Sequence, residues 1–263
     1  MSAAAIDGVA VVVGGGAGIG AACARALAAR GAREAVLDRR LPAAENVAEE
    51  IGGAAFQVDI AEEESLRAAL DAIERELGAP MVLVNSAAVF QRPASALVQP
   101  MADYDKLVRI NQRGTFLSCR VFGAGMVERR RGAIVNIASV AGMRPLPLHA
   151  YNPAKAAVIA MTKNLAGDWG PAGVRVNAVS PGFTLTENLE TSIARGERDP
   201  DLLVSGAALQ RLVRPDEVAR AVAFLASDDA SAITGANVPV DCGWLVGGYW
   251  GSYGGLRQPD PAP

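Results

Sequence analysis

The segment Gly14-Gly15-Gly16-Ala17-Gly18-Ile19-Gly20 joins Val9 to Val13, a β-branched run, to a stretch of helical character from Ile19 to Arg30. Few folds place so many glycines between a buried strand and a helix this early in a chain. Glycine lets the backbone approach a pyrophosphate closely, and the free N–H groups of a helix N-terminus attract its charge. A strand–glycine turn–helix start of this kind predicts a dinucleotide-binding βαβ unit.

The rest of the chain repeats that rhythm. Strand character returns at Glu34–Asp38, Ala54–Val58, Met81–Val84, Ala133–Ile137, Val174–Val179 and Asn237–Val240. Between them lie helical stretches such as Glu62–Leu77, where Leu66, Leu70, Ile73 and Leu77 recur at helical spacing. The strands show little polar alternation, so both sheet faces are expected to be covered. The order predicts an α/β fold: a single Rossmann-type, doubly wound parallel sheet of about seven strands with helices on both faces. One domain is expected over residues 1–255, followed by a flexible tail over 256–263.

The residue balance narrows the function classes. Hydrophobic residues make up 51% and charged residues 20%, the profile of a globular protein rather than a disordered one. A net charge of −3, with no basic face, argues against nucleic-acid binding. Arg129-Arg130-Arg131 reads as a solvated helix end, where cations oppose the helix dipole. The three cysteines, Cys23, Cys119 and Cys242, form neither a disulfide framework nor a metal motif. No apolar run reaches the ~18 residues of a membrane span, and the first residues lack a signal-peptide pattern. A cytoplasmic protein without metal, membrane or nucleic-acid partners is expected.

Two positions speak to chemistry. Asp38 closes the second strand, where adenosine ribose hydroxyls would lie; a carboxylate there accepts from a 2′-hydroxyl and repels a 2′-phosphate, which favours NAD. Arg39 and Arg40 pull towards NADP. Tyr151 and Lys155 are four apart in a helical stretch and share a face. Lowering a tyrosine from ~10 to a working range takes ~3–4 kcal/mol. An ammonium ~5–6 Å away supplies ~3 kcal/mol at an effective dielectric of ~20. Lys155 is therefore expected to depress the Tyr151 pKa, with help from a cationic nicotinamide.

With Ser139 at the end of the fifth strand, these residues complete a series. The chain resembles the short-chain dehydrogenase/reductase family from about Asp7 to Gly243. The resemblance rests on Gly14-x-x-x-Gly18-Ile19-Gly20, Asp59, Asn85-Ser86-Ala87-Ala88, Asn111-x-x-Gly114-x-Phe116, Ser139, Tyr151-Asn152-Pro153-Ala154-Lys155, and Pro181-Gly182 with Thr186. It implies that Ser139 orients the substrate oxygen, Tyr151 exchanges its proton, Lys155 holds the nicotinamide ribose and Asn111 positions a relay water. It implies a cofactor channel of Gly14, Ala17, Gly18, Ile19, Asp38, Arg39, Asp59, Ile60, Asn85, Ala87, Pro181, Gly182, Thr184 and Thr186, with Tyr151 and Lys155. Val13, Ser86, Ala88 and Cys242 depart from the family pattern, which favours Thr, Asn, Gly and Gly there.

Around the substrate, Met143, Leu146, His149 and Phe183 are candidates beside Ser139 and Tyr151, and Phe183 to Leu209 is expected to form a lid. The aromatic, glycine-rich stretch from Trp244 is expected to pack on a neighbouring subunit of a homodimer or homotetramer. The expected activity is NAD(H)-dependent hydride transfer between nicotinamide and an alcohol/ketone pair: a secondary alcohol, a polyol or a cyclic hydroxy compound. The alternatives are an NADP(H)-dependent ketone reductase and a non-catalytic dinucleotide-binding sensor or scaffold.

Overall fold

A computed structural model describes residues 4–253, 255 and 256. In chain order the elements are β1 (Val9–Val13), α1 (Gly18–Ala28), β2 (Arg33–Asp38), α2 (Leu41–Ile51), β3 (Ala54–Gln57), α3 (Glu63–Glu76), β4 (Pro80–Asn85), α4 (Met101–Leu107), α5 (Thr115–Glu128), β5 (Gly132–Ile137), α6 (Tyr151–Trp169), β6 (Val174–Pro181), α7 (Glu187–Ala194), α8 (Pro200–Val204), α9 (Pro215–Ala226), β7 (Asn237–Val240) and α10 (Trp244–Gly247).

The seven strands form one sheet in the order β3-β2-β1-β4-β5-β6-β7, and every pairing is parallel. Val13 pairs with Leu37 on one side and Asn85 on the other, so the strand order reverses at β1. The connections leaving β1 and β4 diverge there and open a crevice at the carboxyl edge.

Alternate residues of each strand face opposite layers. Ala10, Val12, Val36, Val84 and Val135 pack under α1 and α9 with Leu27, Val218 and Val222. Val9, Val11, Leu37, Leu83 and Ile134 face the other layer, against Leu66, Ile73, Leu117 and Phe122. Each such side chain stabilises the fold by about 1.5–3 kcal/mol on leaving water. The continuous apolar strand runs thus follow from burial on both faces.

Two segments differ from the sequence expectation. The helical stretch from Met101 to Glu128 is interrupted by a π-helical segment, Val108–Gly114. Apolar spacing does not resolve that change of pitch. The long connection from Phe183 to Arg214 carries two short helices, α7 and α8. Beyond α10 the chain forms a 3₁₀ turn over Trp250–Tyr253; residues 257–263, most of the expected flexible tail, lie outside the described residues.

Candidate active site

The crevice at the β1/β4 switch point is a continuous cleft of about 1210 Å³. It runs from Gly14 and Asp38, past Ala87 and Ser139, to Phe183 and α7.

At one end Gly14, Gly15 and Gly16 leave no room for side chains. Gly14 has φ +80°, and a Cβ there would lie 2.4 Å from the Ala87 nitrogen. The Ser86 and Ala87 amides both donate to the Val13 carbonyl, at 2.8 and 2.9 Å, and hold the second loop against the first. The Asp38 carboxylate is fixed from two sides, accepting from the Gly16 amide at 3.2 Å and the Arg40 amide at 3.0 Å. Arg39 and Arg40 line the same end. Asp59 and Ile60 follow along the wall, where the Asp59 carboxylate accepts from the Ala61 amide at 2.9 Å.

In the middle, Ser139, Tyr151 and Lys155 converge from β5 and α6. Ser139 Oγ accepts from the Ala141 amide at 3.1 Å, which leaves the hydroxyl proton free to donate. Its 3₁₀ turn sits directly on α6, and a Cβ on Gly142 would lie 2.7 Å from the Lys155 carbonyl carbon. Lys155 is buried, and its Nζ donates to the Ile137 carbonyl at 2.8 Å, 5.7 Å from the centre of the Tyr151 ring.

The charge states differ from the sequence expectation. Burial pushes the Tyr151 phenol up to about 12, with the Ser139 hydroxyl acting against that rise. Burial also pushes the Lys155 ammonium down to about 8. The phenol gains no net depression from Lys155, because desolvation disfavours both charged forms.

Most of the expected positions lie on the cleft wall: Gly14, Ala17, Gly18, Ile19, Asp38, Arg39, Asp59, Ile60, Ala87, Ser139, Leu146, Tyr151, Lys155, Pro181, Gly182, Phe183, Thr184 and Thr186. Four do not. Asn85 turns into the core, where its amide donates to Asn136 Oδ1 at 2.9 Å and its carbonyl accepts from Ser118 at 2.6 Å. Asn111 is buried in the π-helical segment, and its carboxamide pairs with both backbone groups of Val89, at 2.8 Å each. Its main-chain carbonyl accepts from the Thr115 hydroxyl at 2.9 Å. Met143 and His149 are exposed and point out of the cleft, Met143 towards Asn237.

Residue type alone does not reveal Phe90 and Gln91. The Phe90 ring stacks on Tyr151 with centroids 5.6 Å apart, and Gln91 accepts from the Tyr151 amide at 3.0 Å. Their available signal is position: they follow the carboxyl end of β4, where loops of a parallel sheet meet ligands.

The dinucleotide fits the residues present. A Cβ on Gly14, Gly15, Gly16 or Gly20 would lie 2.9 Å or less from a neighbouring atom, and the clamped Asp38 carboxylate lies at the same end. A family model described as Enoyl-(Acyl carrier protein) reductase matches residues 14–245. D-threitol dehydrogenase of Mycolicibacterium smegmatis is 42% identical over 250 residues, 92% of this chain and 94% of that protein. Galactitol 2-dehydrogenase of Rhizobium johnstonii is 41% identical, over 89% of this chain and 94% of its own. A solved structure described as ribose-5-phosphate isomerase from Brucella melitensis 16M superposes with a TM-score of 0.95 at 51% identity, over 98% of this chain and 100% of that one. The chain belongs to the short-chain dehydrogenase/reductase family.

Proposed function

We propose that this protein is an NAD(H)-dependent dehydrogenase of polyols and related secondary alcohols. The observation that carries the reading is the convergence of Ser139, Tyr151 and Lys155 on one cleft beside a glycine turn in which Gly14, Gly15 and Gly16 have no room for a Cβ. The two polyol dehydrogenases at 41% and 42% identity support the substrate class.

Bound nicotinamide supplies the hydride acceptor or donor. The chain supplies the rest. Ser139, with its oxygen already accepting from Ala141, donates its proton to the substrate oxygen. Tyr151 exchanges the proton of that same oxygen. A phenol pushed up to about 12 is a proton donor at neutral pH, suited to ketone reduction. Alcohol oxidation needs the phenolate, which the Ser139 hydrogen bond favours and a cationic ring would favour further. Oxidation is therefore expected to accelerate as pH rises from neutrality, while reduction holds its rate as long as the phenol keeps its proton.

The clamped Asp38 carboxylate supports NAD over NADP. Arg39 and Arg40 on the same wall favour a second reading, an NADP(H)-dependent ketone reductase. The isomerase description of the solved neighbour names a reaction without net redox change, and a dinucleotide-shaped cleft argues for the dehydrogenase. We also assign the protein to homodimers or homotetramers.

Fluorescence titration of the purified protein with NADH and NADPH tests the cofactor. NADH is expected to bind at least about tenfold tighter, because the Asp38 charge opposes a 2′-phosphate. Replacement of Asp38 by Asn should narrow the gap. Tighter NADPH would overturn the NAD assignment. Oxidation of D-threitol and galactitol with NAD then tests the reaction. Turnover of ribose 5-phosphate without any nicotinamide, and no polyol oxidation, would sink it.

A further inference from the structure

Helix α6 carries both Tyr151 and Lys155, yet its N-cap residue, Ala150, has no side chain able to cap it. The capping acceptor comes from elsewhere in the chain. Gln91 Oε1 accepts from the Ala150 amide at 2.9 Å and from the Tyr151 amide at 3.0 Å. Its Nε2 donates to Gln99 Oε1 at 2.6 Å, and the side chain is almost wholly buried at 9% exposure. The Ala150 and Tyr151 amides thus both rest on one carbonyl oxygen.

The two preceding residues restrict that oxygen further. Val89 is held at both its backbone N–H and C=O by Asn111. Phe90 stacks on the Tyr151 ring at 5.6 Å. Three consecutive residues therefore join the π-helical segment, the Tyr151 ring and the Tyr151 backbone. The Asn152 amide has a local acceptor in the Leu148 carbonyl, at 3.0 Å, but the Ala150 and Tyr151 amides depend on this distant side chain, and the first turn can shift when that acceptor is lost. A shift of about 1 Å at the reacting group costs about a hundredfold in rate.

We propose that Gln91 is a positioning residue that sets the height of Tyr151 over the substrate by capping α6 from the loop after β4. The inference rests on Tyr151 being the acid–base group of the proposed reaction. Gln91 needs no contact with substrate: it acts through the Ala150 and Tyr151 amides.

The test compares Gln91→Leu with Gln91→Glu in the full chain. Leucine keeps the volume and removes the acceptor. Glutamate keeps an acceptor for both amides, and the Gln99 amide can turn its N–H₂ towards the carboxylate. In Gln91→Leu, kcat for D-threitol oxidation should fall at least about tenfold, while the dissociation constant for NADH stays within about twofold. Gln91→Glu should retain kcat within about threefold. Backbone amide exchange at residues 150 and 151 should quicken in Gln91→Leu and stay slow in Gln91→Glu. Wild-type kcat in Gln91→Leu, unchanged exchange there, or equal loss in both variants overturns the proposal. If Gln91→Leu does not fold, Gln99→Ala removes only the support of Gln91 and should lower kcat with NADH binding intact; unchanged kcat in that variant overturns it. Absence of wild-type turnover with every alcohol and both dinucleotides would defeat the dehydrogenase reading, and the exchange comparison would still decide the cap.

Discussion

Glu34 lies on β2 at 2% exposure, and neither carboxyl oxygen has a hydrogen-bond partner. Burial pushes its pKa up to about 9, and the nearby Cys23 thiol is pushed up as well, by its own burial and by Glu34. A lone carboxylate in an apolar layer is costly, so the folded chain holds the proton that the unfolded chain releases near 4.5. The contribution is full below that lower value and is lost as pH rises towards about 9. Stability should therefore decline from pH 5 to 9 by up to about 1.4 kcal/mol per pH unit. Urea denaturation across that range checks it: Glu34→Gln should flatten the slope and unfold at higher urea above pH 7, whereas a flat wild-type profile would refute the account. The sequence conceals this residue, because a glutamate opening a strand reads as solvated. It conceals the Tyr151 and Lys155 charge states for the same reason: spacing puts the two on one helix face, but depth below the surface sets the sign of the shift. Asn85 illustrates another limit. It ends a strand beside the cofactor edge, and only the partners Asn136 and Ser118 show that its side chain faces inward.

At the scale of elements, strands and long helices are legible because their apolar periods follow from burial. Irregular segments are not, since hydrogen bonds distant in sequence define them. The π-helical segment is held by the Asn111–Val89 pair, and nothing local in its sequence announces the extra residue per turn. The segment around α10 is a similar case. Trp244 packs edge-on against Phe183, the Arg144 guanidinium lies 4.1 Å from the Tyr249 ring centre, and Arg144 donates to the Leu245 carbonyl. Within one subunit the α10 segment thereby ties the start of the connection after β6 to the segment between Ser139 and Tyr151. Arg144→Ala removes a cation–π contact and a hydrogen bond, together about 1–2 kcal/mol. The expected result is a rise in KM for the alcohol of about fivefold or more, with the NADH dissociation constant unchanged. Lysine should restore little, because one ammonium cannot both stack and donate in that geometry. An unchanged KM in steady-state kinetics would show that the tie does not shape the substrate pocket.

For the molecule as a whole, the strand–helix alternation fixes a doubly wound sheet, and the reversal of strand order at β1 fixes where its cleft must open. That much follows from the sequence because parallel strands need crossovers and crossovers are right-handed. How one copy meets another depends on surfaces that periodicity does not describe. Exposed apolar side chains include Leu97, Val98 and Met101 at and just before the start of α4, and Val246, Tyr249 and Trp250 at and just beyond α10. Scattered exposed leucines are ordinary, but large side chains grouped in this way are unfavourable in water and favour association. We infer that these stretches serve as contacts between copies, and two separate contacts would suit a dimer of dimers. Analytical ultracentrifugation at micromolar protein should therefore show a dimer or tetramer. Val246→Glu with Trp250→Ser should remove one contact and halve a tetramer while leaving the sheet and the NADH affinity intact. A wild-type monomer, or a double variant of unchanged mass, would mean that these faces are tolerated exposure and that α10 serves its own subunit alone.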